Sequence, residues 1–205
     1  MTIFALFSSS DMSPNNQRIN LMTTPNNVLL LMAHPNLRHS EINLPLFQQA
    51  QKIPGVTAID LYAHYPRFNI DIEAEQQRLQ QHDTILFQFP LYWYSVPSLL
   101  KEWMDLVFEY GFAYGSEGTA LHGKRFGCVI SAGGKKDAYC DKGINHFSIE
   151  ELLRPLEQTA SLTGMIYQQP LTLFGARTAA EDGSLERHLE NCQQHLQLFI
   201  KEPAK

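Results

Sequence analysis

The feature that most constrains this chain is the apolar run at residues 28–33, cut off at His34-Pro35. A strand with water on one face alternates apolar and polar side chains. One that is apolar at every position is covered on both faces, as in a parallel sheet with helices on each side. Similar runs recur at 56–61, at 84–89 before Pro90, at 126–131, and more briefly within 166–173. Helix-favouring stretches separate them. Ser40 caps a helix reaching about Lys52, which Pro54-Gly55 breaks. Residues 73–81 are polar and helix-forming. Pro97 opens a helix striped by Leu99, Leu100, Trp103, Met104 and Val107 at three- and four-residue spacing. Ser148 and Glu151 form a capping box for a helix to about Leu162, kinked at Pro155. Leu185, Leu189, Cys192, Leu196 and Phe199 stripe the last one. Residues 110–124, rich in Gly and Tyr, read as an excursion.

This alternation predicts an α/β three-layer sandwich around a five-stranded parallel sheet of order 2-1-3-4-5. Ligand then binds outside the carboxyl ends of the strands, near the switch between strands 1 and 3.

Composition narrows the functional classes. The 205 residues suit one domain, assigned to 27–201, with 1–26 as a mobile Ser-, Asn- and Pro-rich extension. A net charge of −5 argues against a nucleic-acid partner. Cys128, Cys140 and Cys192 form no CxxC pair, which fits a reducing cytoplasm. The eight histidines show no metal-site spacing, so no metal is expected. No stretch has the length and apolarity to span a bilayer, and the opening residues lack a basic signal-peptide region.

The predicted topology singles out three loops. After strand 1 comes His34-Pro-Asn-Leu-Arg-His-Ser-Glu-Ile-Asn43. It carries no GxGxxG or GxxxxGK[ST]. It does end at a helix N-terminus, a ready anion site, with Arg38 and His39 beside it. The plain alternative is that Ser40 only caps the helix. After strand 3, Tyr92, Trp93 and Tyr94 stand in line where a flat ring would pack; the alternative is a buried aromatic cluster. After strand 4, Gly133 and Gly134 permit positive φ and close approach of backbone to ligand, or make a plain turn. Together the loops suit a phosphorylated planar cofactor better than a sugar, a peptide or a metal.

Long in-order phrases then bring a resemblance: LLLMAHP ending at Pro35, HSEIN at 39–43, YPRFNIDIEAEQ at 65–76, FPLYWYSVPSLLKEWMDLVF at 89–108, FAYGSEGTALHGK at 112–124 and SAGG at 131–134. Over about residues 27–200 the chain resembles the flavodoxin-like NAD(P)H quinone oxidoreductases, and among them the ancillary quinone-reductase subunits of glutathione-gated potassium efflux systems. The resemblance implies a non-covalent FMN with its phosphate on the loop of His34, Ser40, Glu41, Ile42 and Asn43. It implies a flavin ring on Leu91, Tyr92, Trp93 and Tyr94, and a pyrimidine edge near Ser131, Ala132, Gly133 and Gly134. Tyr139 matches a catalytic Tyr of the wider family by spacing, and His146 a catalytic His when a one-residue gap is allowed. Many members carry Thr-Thr before the glycines; Ser131-Ala132 lacks one hydroxyl.

The resemblance further implies a homodimer, NADH or NADPH as hydride donor, a quinone acceptor, and an antiporter partner at the cytoplasmic face of the inner membrane. Two rivals stand beside the enzyme: a non-catalytic flavin-binding regulator of a transporter, and a one-electron carrier. Replacing Ser40 and Asn43 together is expected to weaken FMN binding with little loss of fold.

Overall fold

The structure, a computed structural model, describes residues 27–202. The expected mobile extension, 1–26, lies outside them. The strands are β1 (Val28–Met32), β2 (Val56–Asp60), β3 (Thr84–Pro90), β4 (Arg125–Ser131), β5 (Ile166–Tyr167) and β6 (Leu171–Leu173). The helices are α1 (Asn43–Ala50), α2 (Leu61–His64), α3 (Ile72–Gln80), α4 (Ser98–Val107), α5 (Ile149–Leu152), α6 (Arg154–Leu162) and α7 (Ser184–Lys201).

The sheet is parallel, with order β2-β1-β3-β4-β5, and β6 also pairs with β4. The fifth position is thus two short strands, β5 beside Arg125 and Phe126, and β6 beside Val129 to Ser131. Gln168-Gln169-Pro170 separates them, and a proline cannot donate to the ladder. The expected single long helix after Ser148 is also two, α5 and α6. The capping box forms as read, but the chain breaks at Leu153, just before Arg154-Pro155.

Both faces of β1 are covered, as its unbroken apolar run requires. Leu29 and Leu31 join the cluster that holds Trp103, Leu99 and Leu79 of α4 and α3. Val28, Leu30 and Met32 join Phe47 of α1 and Leu196 of α7 on the other face. One charge sits inside the first layer: Glu75 is fully buried. Its carboxylate accepts from Tyr65 Oη at 2.7 Å and Trp103 Nε1 at 3.1 Å, with Arg78 at 3.3 Å. A buried carboxylate is tolerated when paired and hydrogen-bonded in this way. Together these contacts tie the segment after α2 to α3 and α4.

Candidate functional site

The carboxyl ends of β1, β3 and β4 lie side by side, in register through Met32↔Gln88 and Pro90↔Ser131. The loop leaving β1 turns at His34. Its Nδ1 accepts the Asn36 N–H at 3.1 Å, which assigns the proton of the neutral ring to Nε2, 3.3 Å from Tyr92 Oη. Burial pushes the His34 pKa below its ordinary value, against the opposing Asp60 carboxylate, and so favours the neutral ring. The Tyr92 phenol is pushed up, by burial first and Tyr62 second, and stays protonated.

Regular helix starts at Asn43, three residues after the residue expected to cap it. The capping bonds nonetheless begin at Ser40: its Oγ accepts the Asn43 N–H at 2.9 Å and its carbonyl the Leu44 N–H at 3.3 Å. Between them, the N–H groups of Glu41 and Ile42 have no acceptor among the described residues. Two free donors at a helix start make an anion cradle. The Ile42 side chain is buried with Leu46, Val129 and Ala179, so only its backbone faces a ligand.

Asn43 is 2% exposed, and its side chain is already committed. Nδ2 donates to Ser40 Oγ at 3.3 Å and Ser131 Oγ at 2.9 Å, while the backbone carbonyl of Asn43 accepts from Gln88 Nε2 at 2.9 Å. It clasps the β1 loop to the β4 loop. Replacing Ser40 and Asn43 together was expected to cost little of the fold; the bonds of Asn43 cross the sheet, out of sight of local sequence, and argue for a larger cost.

The β3 loop is a two-residue turn. Tyr92 N–H donates to Ser95 O at 3.1 Å and Ser95 N–H to Tyr92 O at 3.0 Å. Its central residues, Trp93 and Tyr94, have φ of 46° and 64°. This is the left-handed geometry that Asn-Gly ordinarily supplies, and each aromatic there costs on the order of 1–3 kcal/mol. No aromatic cluster forms here. Trp93 is 92% exposed, and Tyr92 and Tyr94 are exposed as well, while Leu91 is half-buried and donates to Ser131 O at 2.9 Å.

In the β4 loop, Ser131 and Ala132 are buried. The N–H groups of Gly133 and Gly134 have no acceptor among the described residues. Neither glycine has positive φ, which corrects the conformational reason expected for them. Gly134 makes room instead: a Cβ there would come within 3.0 Å of Tyr139 Cε2 and 3.4 Å of Asn145 Nδ2. Tyr139 is half-buried, its ring tilted on Phe174 at 5.6 Å between centroids.

A cleft of about 350 Å³ opens between the β3 and β4 loops, and no residue of the β1 loop lines it. Leu91, Trp93 and Tyr94 line one side; Gly133, Gly134 and Tyr139 line the other. Four further lining residues escaped the sequence reading, Ala138, Ile144, Asn145 and Arg177. Arg177 is the one charged side chain among the lining residues. Its loop is stitched to the glycine turn by Gly175 N–H to Gly134 O at 2.8 Å and Ala176 N–H to Ala132 O at 3.0 Å. Its signal was position alone, just past the carboxyl end of the last strand. His146 is exposed and does not line the cleft; the chain turns there with φ of 60°, and Asn145 faces inward instead. A second depression, of about 290 Å³ beside Tyr167 and Arg154, lies toward the opposite end of β4.

Comparison with known proteins places this geometry in context. A family described as having a flavodoxin-like fold matches residues 26–196. The glutathione-regulated potassium-efflux system ancillary protein KefG of Pectobacterium carotovorum is 48% identical over 161 residues, 78% of this chain and 88% of that one. The structure of general stress protein 14 from Treponema denticola, in complex with FMN, has a TM-score of 0.78 at 35% identity, covering 84% of this chain and 99% of that one. The NADPH-quinone reductase of P. pentosaceus has a TM-score of 0.72 at 35% identity, covering 82% and 96%. Among the described residues, no helix is long and apolar enough to cross a membrane.

Proposed function

Because the chain belongs to the flavodoxin-like family, we propose that it is an FMN-dependent NAD(P)H:quinone oxidoreductase that passes two electrons from a nicotinamide nucleotide to a quinone. The observation that carries this reading is one rim of the sheet with free backbone donors in two places, Glu41 and Ile42 in the β1 loop outside the cleft lining, Gly133 and Gly134 in the cleft itself, and an aromatic turn between them in the sheet. A phosphorylated planar cofactor asks for that set: an anion hold, a flat apolar surface, and donors for a polar ring edge. FMN, when bound, supplies the two-electron chemistry, taking hydride from NAD(P)H and giving it to the quinone.

The chain's own residues bind and orient. Ser40, Glu41 and Ile42 hold the phosphate, with Asn43 and His34 fixing the loop's shape. Leu91, Tyr92, Trp93 and Tyr94 offer the ring surface. The N–H groups of Gly133 and Gly134 are preorganised by the β6 stitches and meet the edge where negative charge gathers, with Ser131 and Ala132 seating the turn. Tyr139, at the cleft, steadies charge on the donor or quinone. Arg177 adds a cation suited to the phosphates of NADH or NADPH.

The likeness to KefG supports a finer reading: action in the cytoplasm, on the inner face of the membrane, beside a potassium efflux antiporter whose gate the protein also tunes. Homodimerisation is supported by apolar side chains left in water around the cleft, Trp93 at 92%, Ile144 at 84% and Phe147 at 55% exposure. The regulatory and enzymatic readings coexist.

Purified protein should be yellow, release FMN and not FAD on heating, turn over NAD(P)H repeatedly when a quinone is supplied, and run as a dimer in light scattering. Colourless protein that takes up no added FMN overturns the reading. Bound FMN without quinone-dependent turnover leaves the regulator.

A further inference from the structure

Asn145 is the one polar side chain at the cleft whose orientation the fold fixes. Its Oδ1 accepts from Tyr94 Oη at 3.1 Å, across the cleft from the β3 loop. That bond sets the amide: Nδ2 then points the other way, to within 3.4 Å of where a Cβ on Gly134 would stand, and has no acceptor among the described residues. The backbone N–H of Asn145 is tied to Ala138 O at 3.0 Å, so the residue is held at both ends. Tyr94 in turn occupies the strained half of the β3 turn, at φ of 64°. Relaxing that turn would re-aim its ring, so the strain and the tyrosine–amide bond belong together. An aimed amide N–H in the cleft, beside the glycine turn that the cofactor's edge takes, is a place for an oxygen that carries negative charge.

We propose that Asn145 is a catalytic residue that grips a carbonyl oxygen of the quinone, and that Tyr94 is its positioning residue. The assignment rests on the quinone-reductase reading above. In the step it serves, the quinone gains a hydride, two electrons and one proton, which NAD(P)H delivered to the cofactor. Charge appears on a quinone oxygen, the Asn145 amide donates to it, and a proton from water completes the hydroquinone. An amide does not titrate between pH 5 and 9, so this hold on the quinone is independent of pH.

The test separates the two half-reactions by stopped flow. Asn145→Asp keeps the shape, loses the donor and adds a charge; it should lower kcat/KM for quinone on the order of a hundredfold. Reduction of the bound cofactor by NADPH in a single turnover should stay within about twofold, since the donor's hydride does not pass through the amide. Tyr94→Phe should slow reoxidation about tenfold, and the double variant should be no worse than Asn145→Asp alone. Asn145→His should restore part of the rate and make it pH-dependent. Three outcomes overturn the inference: unchanged reoxidation in both single variants, equal loss in both half-reactions, or loss of FMN affinity that accounts for the whole defect. Failure of the wild-type protein to bind FMN or to reduce quinone would instead overturn the reading beneath it.

Discussion

Asn43 offers a sharp test of how the β1 loop is held. Asn43→Ala removes its donations to Ser40 Oγ and Ser131 Oγ and leaves the backbone bonds to Ser40 and Gln88 in place. Each neutral bond contributes about 1 kcal/mol, and Ser131, 6% exposed, loses a partner for a buried hydroxyl, at about 1–3 kcal/mol. Asn43 Oδ1 has no partner among the described residues, so deleting it offsets part of that cost. The net loss is about 2–3 kcal/mol, read as a fall of about 1 M in the urea midpoint. Ser40→Ala should cost only about 1 kcal/mol, the worth of a cap. It should weaken FMN while leaving riboflavin, which lacks the phosphate, unchanged. Fluorescence titration with both ligands reads the difference. An unaltered urea midpoint for Asn43→Ala would refute the clasp, and equal weakening of both ligands by Ser40→Ala would move the phosphate elsewhere.

Four further outcomes are expected. His188 is buried beside Cys192 Sγ, at 3.4 Å, and burial lowers its pKa to about 4; a depressed folded value means stability is complete above the unfolded pKa and lost as pH falls from about 6.5 toward 4, by about 3 kcal/mol in all. Urea midpoints across that window should drop less in His188→Gln. Glu75→Leu should cost about 3–5 kcal/mol, because Tyr65 and Trp103 keep buried donors without an acceptor, and a loss under about 1 kcal/mol in chemical denaturation would deny the network any role. Trp93→Gly should raise the melting temperature slightly, since a 92% exposed side chain at φ of 46° gives up strain and little packing, while FMN binds less tightly. His146→Ala should leave flavin reduction and reoxidation rates within about twofold, its side chain standing in water outside the cleft; a larger fall would bring it into the mechanism.

The layers, the strand order and the site's end of the sheet were legible because each rests on short-range pattern. Unbroken apolar strands need cover on both faces, and helix stripes show which face provides it. What was not legible depends on contacts between distant residues. The Asn43–Ser131 bond spans 88 positions, and Arg177 reaches the cleft only through the stitches to Ala132 and Gly134. The glycine turn shows the same limit: the sequence offered backbone freedom as its reason, whereas the packed structure uses the missing Cβ to admit Tyr139. The Tyr92–Ser95 turn also defied expectation, because local preference would never place two aromatics at left-handed φ.

That violation is part of a pattern that points to the candidate site without reference to any relative. Among the described residues, the non-glycine positions with positive φ are Phe68, Trp93, Tyr94 and His146. Each lies in a segment that leaves the carboxyl end of a strand: β2 for Phe68, β3 for the aromatic pair, β4 for His146. Buried polar atoms without a partner among the described residues are spread more widely: Asn43 Oδ1 and Gln88 Oε1 lie beside the same strand ends, Tyr167 Oη beside the start of β4. At the opposite end of the sheet no described non-glycine residue has positive φ, and side-chain donors lace the chain: Arg125 donates to Thr84 Oγ1 and to the carbonyls of Phe199 and Glu202, and Lys124 to those of Gln80 and His82. Strain survives only where the surrounding structure over-determines it, and it destabilises wherever nothing is gained. Confining it to one rim of the sheet is what a fold does when that rim must hold donors, rings and an amide in positions that local preference alone would not produce.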